Sequence, residues 1–131
     1  MKLQGILNSD ISSALGYMRH TDTLAVGDCG LPTPDGVKCI DVSIRPGLPG
    51  LMDVLNELSK DFKAEKVTMA EEIKTENPEL MKQILLLCEG AEVEFVPHAE
   101  FKRRTARAKF MVRTGEATPF ANVILESACA F

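Results

Sequence analysis

Thr23-Leu24-Ala25-Val26-Gly27-Asp28 is the stretch on which the architecture turns. Its apolar run is too short for a buried helix and is bounded by turn formers, so it predicts a buried strand ending at Asp28. Gly30, Pro32, Pro34 and Gly36 make the next stretch a rigid loop. Upstream, Asn8 or Ser9 can cap a short helix from near Asp10 to about Met18, with Asp10 in its first turn favouring the helix dipole. Downstream, Lys38 to Ser43 alternates enough for a second strand.

The alternation continues to the end of the chain. Leu51, Val54, Leu55, Leu58 and Phe62 fall at helical spacing after the turn-rich Arg45-Pro46-Gly47-Leu48-Pro49-Gly50. A strand is expected over Lys66 to Ala70. Pro78 opens another helix with Leu80, Met81, Ile84, Leu85 and Cys88 inward, and Gly90 stops it. Glu92 to Val96 is a strand, Ala99 to about Arg107 a helix, and Lys109 to Arg113 and Asn122 to Leu125 closing strands. The expectation is an α/β fold, one domain over 1–131, with a central, mostly parallel sheet flanked by helices. In such sheets ligands gather at the carboxyl ends of strands, which is where Asp28, Glu71-Glu72 and the loop after Arg113 would sit.

Bulk properties narrow the function. The 131 residues suffice for one domain, and 45% apolar residues for a real core. A net charge of -4 argues against nucleic acid as a partner. The basic cluster Lys102, Arg103, Arg104, Arg107 and Lys109 reads first as the solvated face of a helix and next as a subunit contact. Apolar stretches such as Ile84 to Cys88 are too short to cross a bilayer, so no membrane partner is expected. Cys29, Cys39, Cys88 and Cys129 form no CxxC pair, and with no signal peptide they fit reduced thiols in a cytosolic protein.

Few residues are candidates for chemistry. His20 reads either as a helix-end cation or as a general acid/base, imidazole being the side chain that titrates near neutrality. Asp28, one strand away, could orient such a ring, hold a sugar hydroxyl or simply cap its turn. His98 stands at a helix start. Asn122, in a polar approach to the last strand, can donate and accept at once, which suits sugar hydroxyls or the tying of a loop. No Walker A or dinucleotide spacing, no GxSxG elbow and no metal-ligand spacing occurs, so neither metal nor cofactor is expected.

Taken together, Gly5-Ile6-Leu7-Asn8-Ser9, His20-Thr21-Asp22, Asp28-Cys29-Gly30-Leu31-Pro32, Ala70-Glu71-Glu72-Ile73-Lys74 and Arg113-Thr114-Gly115-Glu116 leading to Thr118-Pro119-Phe120-Ala121-Asn122 are distinctive. The set resembles the D-ribose pyranase family, sugar-ring isomerases related to the fucose mutarotases. Cys29 stands where that family's signature usually has Ala, and Phe120 where it usually has Tyr. The resemblance implies that His20 is the proton donor and that Asp28, His98 and Phe120, Ala121 and Asn122 hold a free sugar, D-ribose. It implies a ring-shaped homo-oligomer of two stacked pentamers, a decamer, with each pocket completed by a neighbouring subunit. A fucose mutarotase and a sugar-binding subunit without turnover remain as alternatives.

Overall fold

The computed structural model describes residues 1–131. Six strands, β1 (Thr23–Gly27), β2 (Lys38–Asp41), β3 (Ala64–Ala70), β4 (Glu92–Val96), β5 (Phe110–Arg113) and β6 (Val123–Ser127), form one sheet in the order β2-β5-β1-β6-β3-β4. β1, β2 and β5 pair in parallel, as do β3 and β4, while β6 runs antiparallel to both β1 and β3. Five strands therefore point one way and one points back, the expected mostly parallel sheet.

Alternation along the strands builds two apolar layers. Leu24, Val26, Val67, Met69, Val112, Val123 and Leu125 face the larger core. That core is covered by α1 (Ser9–Tyr17), α2 (Leu51–Asp61), a single turn α3 (Ile73–Glu76) and α4 (Pro78–Leu87). Ala25, Met111 and Ile124 point to the other face, where Phe101 of α5 (His98–Thr105) and Leu31 of the loop after β1 cover them.

Local chemistry sets the helix ends. Asn8 caps α1, its side chain accepting from the Ile11 N–H at 2.9 Å. Gly50 caps α2, and Asp53 accepts from the Gly50 N–H at 2.8 Å. The turn α3 was not foreseen, because four residues carry too little periodicity to register. The four cysteines are free and partly buried, and burial pushes the Cys88 thiol up.

Gly115 and Gly16 offer opposite tests of the backbone. A Cβ on Gly115 would strike the Leu48 carbonyl and come within 2.6 Å of the Arg45 carbonyl oxygen. These are backbone atoms held by the Gly115 N–H donating to the Pro49 carbonyl at 2.8 Å, so they cannot rotate away. We predict that Gly115→Ala lowers unfolding free energy by about 1–3 kcal/mol in urea titration. Gly16, inside α1 with open space around it, should gain about 0.5–1 kcal/mol on replacement by Ala.

Candidate active site

β1 ends beside the start of β6, which brings Asp28 and Asn122 together across 94 residues of sequence. The Asn122 Oδ1 accepts the Asp28 backbone N–H at 2.8 Å, and its Nδ2 donates to Asp28 Oδ2 at 3.0 Å. Asp28 Oδ1 accepts from the Gly30 N–H at 2.9 Å, so the carboxylate is fixed on both oxygens. Asn122 is 1% exposed, and it ties the Asp28 loop rather than its own. Each carboxylate oxygen of Asp28 keeps acceptor capacity for a further donor.

The loop is braced from β5. Arg113 donates from Nε and Nη2 to the Cys29 carbonyl at 3.0 and 2.8 Å, and from Nη1 to Asp41 at 2.8 Å and Ser43 Oγ at 3.1 Å. Thr114, fully buried, donates its N–H and hydroxyl to the Gly27 carbonyl. The Ser43 hydroxyl and backbone N–H, with Arg113, hold the Asp41 carboxyl down at about 2.

His98 begins α5, its ring lying edge-on to Phe120 at 5.1 Å between centroids and parallel to Phe101 at 6.3 Å. Its Nδ1 is buried and has no partner within the protein. Phe120 has φ +53, a conformation that costs a bulky residue energy. Ala121 is fully buried, leaving its backbone as the part able to meet a ligand. His98 and Phe120 thus meet directly, and Asn122, two residues past Phe120, is bonded to Asp28.

His20 stands elsewhere. It lies before β1, where the Thr21 N–H donates to the Ser127 carbonyl at the far end of β6. The five residues of β1, at about 3.3 Å each, separate it from Asp28 by on the order of 17 Å. Asp22 closes the turn that displays it, accepting from the Arg19 N–H at 2.8 Å, with Thr21 at φ +69. The ring Nε2 lies 3.0 and 3.1 Å from the two Glu65 oxygens, and the side chain is 54% exposed. Glu65 was missed from sequence because no local pattern links residues 45 apart.

Beside this turn opens a cleft of about 410 Å³ whose lining includes Thr21, Asp22, Lys66, Arg107 and Glu126. The basic cluster is largely paired: Arg103 with Glu100, Arg104 with Glu94 and Glu100, Lys109 with Asp22. Glu94, between Lys66 and Arg104, has its carboxyl held below the usual range by hydrogen bonds from both. No group of three or more His, Cys, Asp or Glu side chains converges as metal ligands would, and no helix is long and apolar enough to cross a membrane.

Residues 1–130 match the RbsD / FucU transport protein family. A D-ribose pyranase of Bacillus cytotoxicus is 49% identical over 131 residues, and one of Lactobacillus gasseri is 47% identical, each pairing covering the whole of both chains. The structure of Bacillus subtilis RbsD complexed with D-ribose superposes with a TM-score of 0.96 at 45% identity, covering 100% of both chains. A fucose mutarotase from Streptococcus pneumoniae, in complex with L-fucose, shares the fold at a TM-score of 0.81 over 95% of each chain, with 18% identity.

The Arg113 brace yields a pH prediction. A carboxyl at about 2 when folded, against 3.8 in the open chain, adds stability that is fully present above about pH 4–5 and is lost as pH falls toward 2. Asp41→Asn should therefore flatten the stability profile between pH 5 and about 2, as urea midpoints across that range would record. Equal slopes for wild type and variant would contradict it.

Proposed function

The chain belongs to the RbsD / FucU transport protein family, and from that premise we propose that it is a D-ribose pyranase, an isomerase interconverting the β-pyranose and β-furanose forms of free D-ribose. The observation that carries this reading is the fixed Asp28–Asn122 pair joined through the 120–122 segment to the His98–Phe120 ring pair, at the carboxyl edge of the sheet where α/β folds bind ligands. Oriented acceptors beside an aromatic face suit a sugar, whose hydroxyls need hydrogen bonds and whose C–H faces need an apolar surface. The unpartnered His98 Nδ1 would be answered by a sugar hydroxyl.

The chemistry is proton transfer alone. A base takes the proton of the anomeric hydroxyl, an acid gives one to the ring oxygen, the C1–ring-oxygen bond breaks, and the open aldehyde forms. Rotation and attack by a different hydroxyl close the furanose, with both protons returned. No C–H bond breaks and no electron leaves the sugar. General acid/base catalysis of about 10²–10⁴-fold is enough for a step that already runs in water. We assign the proton transfers to His20, which Glu65 orients by accepting from Nε2–H, leaving Nδ1 as the base.

His20 cannot serve the Asp28 half of its own chain across β1. The reading therefore requires the partner subunit's His20 to complete each pocket. The family resemblance, not this separation, supplies the rest of the proposal: a ring-shaped homo-oligomer of two stacked pentamers in the cytoplasm. Exposed Tyr17, Leu7 and Ile44, with the apolar depression formed by Ile6, Ile11, Val42, Pro49, Val54 and Leu58, provide surface for such contacts.

His20→Ala and Asp28→Asn should each nearly abolish the pyranose–furanose exchange seen by saturation-transfer NMR on ribose. Unfolding and refolding the two variants together should restore part of it, because some mixed interfaces then carry both native residues. A monomer by light scattering, or no recovery on mixing, would refute the shared pocket.

Phe120→Tyr should restore a hydroxyl beside His98 and tighten ribose binding by about two- to twelve-fold, the worth of one neutral hydrogen bond. Asn122→Ala should weaken binding, since it frees Asp28 on two contacts. Calorimetric titration of both variants with ribose checks the pair. No change in either would remove the 120–122 segment from the sugar site.

A further inference from the structure

Glu72 and Asn77 flank the short turn α3, and each reaches a different wall of the proposed sugar site. The His98 backbone N–H donates to Glu72, with Oε1 and Oε2 each at 3.1 Å. That N–H is one of the open donors at the start of α5, where a carboxylate also complements the helix dipole. Asn77 Nδ2 donates to Thr118 Oγ1 at 2.9 Å and to the Pro119 carbonyl at 3.0 Å, directly before Phe120. Neither contact is needed to form the sheet, and both join elements distant in sequence.

The segment between them is tied down at several points. Ile73 is fully buried in the larger core. The Glu71 N–H donates to the Val96 carbonyl at 2.7 Å, and the Asn77 N–H to the Ile73 carbonyl at 3.0 Å. Lys74 lies 4.2 Å above the Phe95 ring. The turn is thus anchored in the core while bonded at one end to His98 and at the other to the approach to Phe120.

We propose that Glu72 and Asn77 are a pair of positioning residues that hold the His98 wall and the Phe120–Asn122 wall at the separation ribose requires. The proposal rests on the sugar-site reading above. Neither residue touches the sugar or moves a proton. They hold Phe120 in its left-handed conformation and His98 against it, so that the ordering is completed before the sugar arrives.

The test uses the full-length oligomer with wild type, Glu72→Ala, Glu72→Gln, Asn77→Ala and the double alanine variant. Calorimetry gives ribose affinity, and NMR exchange gives the rate at saturating ribose. Each single alanine variant should weaken affinity about tenfold while the saturated rate stays near wild type, because His20 is untouched. A merely structural loss would reduce the saturated rate, through less folded protein, without moving affinity. Glu72→Gln retains an acceptor and should recover most of the lost affinity. The double variant should be weakened by less than the product of the singles, since one clamp loses its use once either end is free. Unchanged affinity in the single variants, or effects that multiply, would overturn the clamp. If wild type itself fails to bind ribose, the sugar reading falls and the positioning role with it. The His98 amide proton, shifted by Glu72→Ala without any sugar, reports the Glu72 contact separately.

Discussion

Everything in this sheet depends on β6 running backwards between β1 and β3. Without it, β2-β5-β1 and β3-β4 are two small parallel units that share no hydrogen bond. β6 pairs with both, from Thr23↔Glu126 to Val26↔Val123 on one side and Lys66↔Glu126 to Met69↔Val123 on the other. Its side chains serve both cores at once, Val123 and Leu125 in one and Ile124 in the other. The last strand of the chain is thus the one that unites the fold, and its start is fixed where the five parallel strands end.

That direction reversal brings Asp28 and Asn122 together and sets His20 apart from them. A strand entering at the carboxyl edge brings Asn122 to Asp28, with the Phe120 turn just before it. The same strand leaves at the opposite edge, where the Ser127 carbonyl accepts from the Thr21 N–H and the His20 turn is held. The proposed binding groups and the proposed acid/base group are consequently attached to the two ends of one pair of strands. On the proposed reading, subunit association has a chemical consequence, since one subunit's amino edge must meet another's carboxyl edge for the two halves to act on one sugar.

Much of this was legible in the sequence, and the limits have physical causes. The runs Leu24-Ala25-Val26 and Val123-Ile124-Leu125 announce buried strands because both faces of the sheet are covered. Helix ends were readable from Asn8, Pro78 and Gly90, each a residue with a local conformational preference. Strand bounds were less so: β2 stops at Asp41 because Ser43 turns back onto that carboxylate, and β3 begins early, at Ala64. The resemblance brought His20, Asp28, His98 and Phe120 to Asn122 into one group, but no spacing rule says that β1 keeps His20 from the others. Glu65, Glu72 and Asn77 act through contacts 26 to 45 residues away, and such partners leave no periodic trace.

Strain is distributed in keeping with that division. Thr21 and Phe120 are the non-glycine residues with left-handed backbone, and each adjoins one half of the proposed site. A β-branched residue and an aromatic one are poor choices for that conformation, so neighbouring bonds must hold them there. Asp22 and the Ser127 carbonyl hold the first; Asn77, through Thr118 and Pro119, holds the approach to the second. The displaced carboxylates Asp41 and Glu94 belong to the scaffold, one bracing the Asp28 loop through Arg113 and the other joining β3, β4 and α5. The strained positions Thr21 and Phe120 lie beside the residues proposed to handle the sugar, whereas Asp41 and Glu94 lie in the ion-paired scaffold around them. A reaction that only moves protons on a free sugar asks for groups in fixed positions, and it is position that the strained turns and their ties supply.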